Sequence, residues 1–146
     1  MNKFRENFIE LLSEHNLSKR AFAIKIGMPE STIRSQALGC VPTVDNLIKI
    51  CDYFDCSCDY ILGLTEDNNY KNIRKGVKFV LKDFYTRYNA AKLGKSDYSV
   101  AKSMGVNNGV IANWNAGKTP SVNHLATLAE VLGTSVDYLV GRSDNK

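Results

Sequence analysis

The sequence contains an internal repeat, in which two long stretches of the chain match at an offset of 78 residues. Pro42–Ile50 falls on Pro120–Leu128, and Asp59–Gly63 falls on Asp137–Gly141. Further upstream, the matched residues are Ala23, Gly27, Ile33 and Gly39 with Ala101, Gly105, Ile111 and Gly117. A repeat of this kind constrains the fold strongly, because both copies are then expected to form the same structural unit.

Each copy is predicted to form five short helices. The first helix of the first copy has one apolar face, formed by Phe4, Phe8, Leu11 and Leu12. Ser18 is the predicted N-cap of a helix from Lys19 to Ile26, and Gly27 provides a tight turn. Pro29 begins the third helix and Gly39 ends it; Thr43 begins the fourth, which reaches Phe54, and the fifth covers Asp59–Leu62. The corresponding residues of the second copy are Ser96, Gly105, Asn107, Gly117 and Ser121.

The segment between the copies is predicted to be a polar hinge that leads into a long amphipathic helix. Its lysines recur at helical spacing, at Lys71, Lys75, Lys78 and Lys82, opposite the apolar stripe Val77, Leu81, Phe84 and Tyr88. Gly76 is expected to interrupt or weaken that helix. The predicted organisation is therefore a first domain at 1–64, a linker at 65–76 and a second domain at 77–142.

The two copies differ in charge. The chain has a formal net charge of +4, but residues 1–68 contain seven basic and ten acidic side chains, and residues 69–146 contain twelve and five. The resulting charges are −3 and +7, so the copies need not do the same work. The sequence has no apolar run of the roughly 20 residues that cross a bilayer and no signal-peptide core near Met1, so we expect a cytoplasmic protein with no membrane contact.

The four cysteines lie at positions 40, 51, 56 and 58, without a histidine nearby. This spacing is not that of a zinc site, so we expect no metal and no cofactor. Cys51 and Cys58 align with Ala129 and Val136, which favours buried thiols, whereas Cys56 aligns with Thr134 and is expected to be more exposed. The sequence shows no catalytic constellation, and we expect no enzyme activity.

Both copies resemble the helix-turn-helix domain of the Cro and phage-repressor (XRE) family. In the second copy the resemblance is carried by Val100-Ala101, Gly105-Val106, Ile111, Trp114, Gly117, Pro120 and the ending Ser135–Arg142. The first copy matches from Ser18 to Gly63 but has Gln36 in place of the tryptophan and Cys40 in place of a basic residue. The resemblance implies an all-α fold of two tandem five-helix domains of the lambda-repressor type, with Trp114 packed inward.

The resemblance also implies that the third helix of the second copy binds the major groove of double-stranded DNA. The implied base-reading residues are Asn107, Asn108, Gly109, Val110 and Asn113. Asparagine pairs with adenine through two hydrogen bonds, and a valine can contact a thymine methyl. Lys102, Lys118 and the backbone at Ser96 are the implied phosphate contacts.

In the first copy the equivalent surface is less suited to DNA. Its implied contacts are Ser31, Thr32 and Ser35, together with Arg34 and Lys19. Glu30 can accept a hydrogen bond from cytosine but repels phosphates.

The leading expectation is a bacterial or phage-type transcriptional regulator, acting as a repressor, in which the second copy is the main DNA reader. Two modules on one chain could span two half-sites of an imperfect repeat, about 34–36 Å apart. The alternative is a protein-interaction module, an antirepressor or an adaptor built on a helix-turn-helix scaffold. The acidic first copy is the candidate contact for a homodimer or a protein partner.

Overall fold

The computed structural model of the chain describes residues 3–68, 70 and 72–146, which form ten helices and no strands. The helices of the first half are α1 (Phe4–Glu14), α2 (Lys19–Ile26), α3 (Glu30–Ala37), α4 (Val44–Phe54) and α5 (Cys58–Ile61). Those of the second half are α6 (Leu81–Ala91), α7 (Asp97–Met104), α8 (Gly109–Asn115), α9 (Val122–Leu132) and α10 (Val136–Leu139). The all-α prediction is confirmed. None of the helices in these ranges is long and apolar enough to cross a membrane.

Side-chain hydroxyls at equivalent positions begin three helices in each half. Ser18 Oγ accepts a hydrogen bond from the backbone N of Ala21 at 3.0 Å, and Ser96 Oγ accepts one from Ser99 N at 3.1 Å. The other caps are Thr43 and Ser57 in the first half and Ser121 and Ser135 in the second. Each such cap stabilises its helix by about 1 kcal/mol, which explains why α2 and α4 begin where the sequence predicts.

Aromatic side chains fill the core of each half. In the first half, Phe22 stacks on Phe54 with ring centroids 5.2 Å apart and meets Phe8 edge-on at 5.6 Å. In the second half, Trp114 packs edge-on against Phe84 at 5.4 Å and Tyr88 at 5.9 Å. Trp114 is only 3% exposed, so its predicted inward orientation is confirmed.

The long helix predicted between the two halves is wrong. The described residues from 72 to 80 are not helical, α6 begins at Leu81, and Gly76 has a left-handed φ of +74°. Carboxylates of α4 hold this segment instead: Asp52 accepts from Gly76 N at 2.9 Å, and Asp45 accepts from Phe79 N at 3.1 Å. These acceptors satisfy backbone groups that a helix would otherwise satisfy.

The predicted lysine stripe is therefore not a helical face. Lys82 lies in α6, Lys75 forms an ion pair with Asp55 beyond the end of α4, and Lys78 lies in the non-helical segment. Lys71 lies outside the described residues.

The buried thiols are partly as predicted. Cys51 and Cys58 are fully buried and unbridged, which confirms the prediction for these two residues. Burial and the neighbouring thiols raise the pKa of Cys51 well above its ordinary value. The expectation of a more exposed Cys56 is wrong, because this residue is 1% exposed and its carbonyl accepts a hydrogen bond from the Arg142 guanidinium at 3.3 Å.

The two halves meet where α5 packs against α10. At this contact, one carboxylate of each half accepts a hydrogen bond from the backbone of the other half. Asp137 accepts a hydrogen bond from Cys58 N with both of its oxygens at 3.0 Å. Asp59 accepts one from Val136 N at 2.7 Å. Each short helix thus begins with a carboxylate from the other half beside its unpaired N–H groups, an arrangement that the helix dipole favours.

The guanidinium of Arg142 lies in the middle of this contact and is completely buried. Its Nη1 is 2.6 Å from Asp137 Oδ1, and its Nη2 is 2.9 Å from Asp52 Oδ1. These two ion pairs join α4 of the first half to α10 of the second. Asp137 is 2% exposed, so removing this partner would leave its side chain buried without a counter-charge.

Replacing Arg142 by alanine is expected to lower the free energy of unfolding by about 3–5 kcal/mol, because Asp137 would stay buried without a counter-charge. Urea denaturation followed by the emission of Trp114, the single tryptophan, measures this change. The exposed Lys49→Ala is the control and is expected to change stability by less than about 0.5 kcal/mol. Equal midpoints for the two variants would contradict the proposed importance of the buried ion pairs.

The stability of the chain is also expected to depend on the charge of Asp59. Burial, followed by the negative charge of Asp137, raises the pKa of Asp59 from 3.8 to about 7. The folded chain therefore holds a proton between about pH 4 and 7 that the unfolded chain releases, so the free energy of unfolding falls as pH rises through this window. Asp59→Asn keeps an acceptor oxygen for Val136 N but cannot titrate. Urea midpoints at about pH 5 and pH 8 should differ less in this variant than in the natural chain.

Candidate nucleic-acid interface

In each half, two helices are joined by a tight turn at a glycine. Gly27 ends α2 and Gly105 ends α7, both with a left-handed φ of +75° that glycine adopts without strain. After each glycine, the next backbone N–H returns to the preceding helix, from Met28 to Ala23 O and from Val106 to Ala101 O, both at 3.1 Å. This closure ends one helix and directs the chain into α3 or α8.

The two faces of α8 have different environments. Ile111 and Trp114 point into the core of the second half and are 1% and 3% exposed. On the outside, Asn108, Gly109 and Asn113 are exposed, and Val110 is partly buried against the core. The buried side chains fix the helix in place, so the exposed side chains project from a rigid support.

Asn107 shapes the first turn of α8. Its Oδ1 accepts a hydrogen bond from Gly109 N at 2.8 Å, and a Cβ on Gly109 would lie 3.3 Å from that oxygen. The carboxamide oxygen of Asn107 therefore has a local partner. The side chains of Asn108 and Asn113 make no hydrogen bond within the described ranges, and both groups of each carboxamide remain available.

Two exposed lysines flank the asparagine-rich surface. Lys102 lies on α7, and Lys118 follows α8, where its backbone N donates to Asn113 O at 2.9 Å. Neither ammonium has an acidic partner among the described residues. The hydroxyl of Ser96 is occupied as the cap of α7.

A three-residue polar cluster at the start of α7 was not predicted from the sequence. Asp97 Oδ1 accepts a hydrogen bond from Tyr88 OH at 2.6 Å and pairs with Lys92 Nζ at 2.8 Å. The Lys92 and Tyr88 hydrogen bonds lower the pKa of Asp97, while burial and the Asp97 hydrogen bond raise that of Tyr88. A carboxylate therefore already occupies the first turn of α7, where an incoming anion at Ser96 would have to compete with it.

The outer face of α3 in the first half carries the predicted Ser31, Thr32, Arg34 and Ser35 at exposed or half-buried positions. Arg34 Nε is 2.7 Å from Glu30 Oε2, so these two charges largely neutralise each other. Lys19, the first residue of α2, is exposed.

Three positions of the first half have exposed apolar or thiol side chains where the second half has small or basic ones. Ile24 is 72% exposed and corresponds to Lys102, and Leu38 is 79% exposed and corresponds to Ala116. Cys40 is exposed and corresponds to Lys118. The first half therefore lacks both of the free lysines that flank α8.

The structure brings the thirteen predicted site residues together as two separate surfaces. Eight lie around α7 and α8, and five lie around α2 and α3; all are exposed or half-buried. The paired Arg34 and the locally bonded Asn107 were not distinguished from their neighbours by sequence alone, because both contacts depend on side-chain rotamers.

The helices α7 and α8, joined by the tight turn at Gly105, define a helix-turn-helix unit. Residues 88–139, from the end of α6 to the end of α10, match the family model described as helix-turn-helix. The match covers less than half of the 146-residue chain, and it confirms the resemblance to the Cro and phage-repressor family for this part.

A curated relative matches with 37% identity over 70 residues, which is 47% of this chain. It is named Uncharacterized HTH-type transcriptional regulator YobD, from Bacillus subtilis (strain 168), and the match spans 62% of its length. No solved structure matches the chain.

Proposed function

We propose that this chain is a sequence-specific DNA-binding transcriptional regulator, acting as a repressor that occupies an operator, with α8 as its main reader of bases. The helix-turn-helix match at residues 88–139 and the name of the Bacillus relative support this function. The single observation that carries it is the exposed surface of α8 and its neighbour α7. There, Asn108 and Asn113 on the packed α8, with Lys102 on α7 and Lys118 after α8, have side chains without a partner among the described residues.

The asparagines fit base recognition in the major groove. A free carboxamide accepts from adenine N6 and donates to adenine N7, and such a pair discriminates between bases by about 1–3 kcal/mol. Asn113 and Asn108 have both groups available, whereas Asn107 stabilises the turn through its oxygen. We therefore assign base reading first to Asn113 and Asn108, with Val110 positioned for a thymine methyl.

The lysines fit phosphate binding on both sides of the groove. Lys102 and Lys118 are exposed and have no competing carboxylate within the described residues, so both charges are available to a polyanion. Phosphate contacts provide most of the affinity and make it depend steeply on salt. The basic character of residues 69–146 adds a long-range attraction in the same direction.

Asn113→Ala is expected to weaken binding to the selected operator by roughly 5- to 150-fold and to relax the preference at one base pair. Lys118→Ala should weaken binding to all duplexes similarly and reduce the slope of log K against log salt by about 1. Fluorescence anisotropy with labelled operator and scrambled duplexes across a salt series measures both effects.

The matched controls are the equivalent residues of the first half, Ser35→Ala and Cys40→Ala, whose effects are expected to be smaller. A chain that selects no sequence even at low salt would contradict the proposed function. Equal losses for Asn113→Ala on operator and scrambled DNA would contradict the assignment of base reading to that residue.

A second candidate function, for the first half alone, is that of a protein-interaction module of the antirepressor or adaptor type. It is favoured by the exposed Ile24 and Leu38, the Glu30–Arg34 pair and the net charge of −3 over residues 1–68. Exposed apolar side chains at a helix-turn-helix surface are typical of protein contacts rather than phosphate contacts.

Ile24→Lys separates these two roles for the first half. If α2 and α3 lie on DNA, this change supplies the lysine that the second half has at Lys102, and operator affinity should rise several-fold at low salt. If the first half is a protein-binding module, the affinity should not change. The control is Lys25→Ile at the neighbouring exposed position of α2. It exchanges the same two residue types next to position 24, so it shows how far a change of one charge elsewhere on α2 alters the affinity.

A further inference from the structure

We propose that one chain is an internal pseudo-dimer, in which a two-fold rotation relates the halves and α3 and α8 read the two unequal arms of an inverted repeat. This inference rests on the proposed DNA-binding function for the choice of ligand. The geometry of the pseudo-dimer itself rests only on contacts within the chain.

The first argument is the reciprocity of the hydrogen bonds between α5 and α10. Cys58 corresponds to Val136 and Asp59 corresponds to Asp137 at the offset of 78. The bond from Cys58 N to Asp137 is matched by the bond from Val136 N to Asp59. In a two-fold contact, each half uses the same surface, so every bond between the halves has a counterpart with the two halves exchanged. The two bonds above are such a pair, whereas a head-to-tail repeat would use two different surfaces.

The second argument comes from two clefts that both halves line with equivalent residues. One cleft is lined by Ser57, Asp59 and Thr65 of the first half and by the corresponding Ser135, Asp137 and Ser143 of the second. The other is lined by Pro42, Thr43 and Val44 together with the corresponding Pro120, Ser121 and Val122. An axis that passes through both clefts and through the α5–α10 contact accounts for all three observations.

The second cleft also locates the reading helices. Val41 and Thr119 line it, and they lie three residues beyond Leu38 and Ala116, the C-caps of α3 and α8. Three residues span at most about 11 Å, so the C-terminal ends of α3 and α8 both lie close to the axis. The two helices therefore flank the axis at the same end of the molecule, where one duplex can contact both.

Two-fold symmetry in the protein selects two-fold symmetry in its DNA. Reading helices related by such a rotation face base edges in opposite strand directions, so they fit an inverted repeat and not a direct one. The arms must differ, because Asn113 and Lys118 in one half correspond to Ser35 and Cys40 in the other. The arm under α8 is the stronger one, since Lys102 and Lys118 of that half correspond to the uncharged Ile24 and Cys40 of the other.

The contact between α5 and α10 also determines the stoichiometry. The buried Arg142 holds Asp52 and Asp137 together across it, so the surface of α5 near this contact is already covered within the chain. A second chain cannot use the same surface. One chain per operator is therefore the expected complex.

The DNA experiment selects operators for the full-length chain from random duplexes and then rearranges them. We expect an inverted repeat with unequal arms and one chain per duplex by light scattering. Reversing the weaker arm to give a direct repeat, or moving it by about half a turn, should weaken binding at least tenfold, to the level of a duplex whose weaker arm is scrambled. A direct repeat that binds as well as the inverted one, or two chains per duplex, would overturn the inference.

A second experiment tests the symmetry without DNA. Under a two-fold axis, the distance from residue 40 to residue 113 must equal that from residue 35 to residue 118. The first spin-labelled pair uses the exposed Cys40 with Asn113→Cys, and the second uses Ser35→Cys with Lys118→Cys in a Cys40→Ser chain. Pulsed electron resonance should give two narrow and coincident distance distributions, because the other three thiols are buried and unlabelled.

The two experiments separate the possible failures. Broad or clearly different distance distributions would overturn the pseudo-dimer whatever the chain binds. Coincident distributions in a chain that selects no DNA sequence would refute the proposed function and the inverted-repeat reading, and would leave the internal symmetry established.

Discussion

The arrangement of the two halves depends on the burial of charge between α5 and α10. Three carboxylates, those of Asp52, Asp59 and Asp137, lie at this contact, and the guanidinium of Arg142 bonds directly to two of them. Buried carboxylates without a counter-charge are costly, so the guanidinium makes this packing possible. Because each carboxylate also caps a helix of the other half or joins the two halves, rotating one half away would expose unpaired N–H groups and break the ion pair between Arg142 and Asp52. The contact therefore fixes the relative orientation of α3 and α8.

The outer faces of α3 and α8, the two proposed reading surfaces, have the same scaffold but different chemistry. Trp114 anchors α8 through contacts with two aromatic rings, those of Phe84 and Tyr88, whereas Gln36 at the equivalent place in α3 is 3% exposed and its Oε1 has no partner in the described part of the chain. Around α8 the free charges are positive; around α3 the arginine is paired with Glu30 and two exposed side chains are apolar. The two halves therefore have the same order of helices but differ both at this core position and on their outer faces.

The sequence predicts local structure well and long-range contacts poorly. Ser18 and Thr43 predict the starts of α2 and α4, and the apolar spacing from Phe4 to Leu12 predicts the buried face of α1. Both succeed because a cap and a helical face depend on residues three or four positions apart. The helix expected before Leu81 fails because its backbone partners, Asp45 and Asp52, come from a helix more than 20 residues away. Cys56 is buried for a similar reason, since Arg142 lies over it.

For the candidate site, exposure of the predicted residues follows from the repeat and the helical periodicity. The pairing of Arg34 and the local bond of Asn107 depend on side-chain geometry that spacing does not encode.

In the proposed pseudo-dimer, two reading helices on one polypeptide would change how occupancy of the operator responds to the amount of protein. A regulator assembled from two separate chains must first associate, so at low concentration its active form increases with the square of the total concentration. Under this proposal α10 of the same chain supplies the partner surface, so the association step would be absent. Occupancy of the operator would then rise in simple proportion to the number of molecules. The effective concentration of one half for the other is fixed by the covalent connection and does not depend on expression level. A few molecules per cell would then act as independent units. The base sequence of each arm of the operator would depend on the residues of one helix, α3 or α8, independently of the other arm.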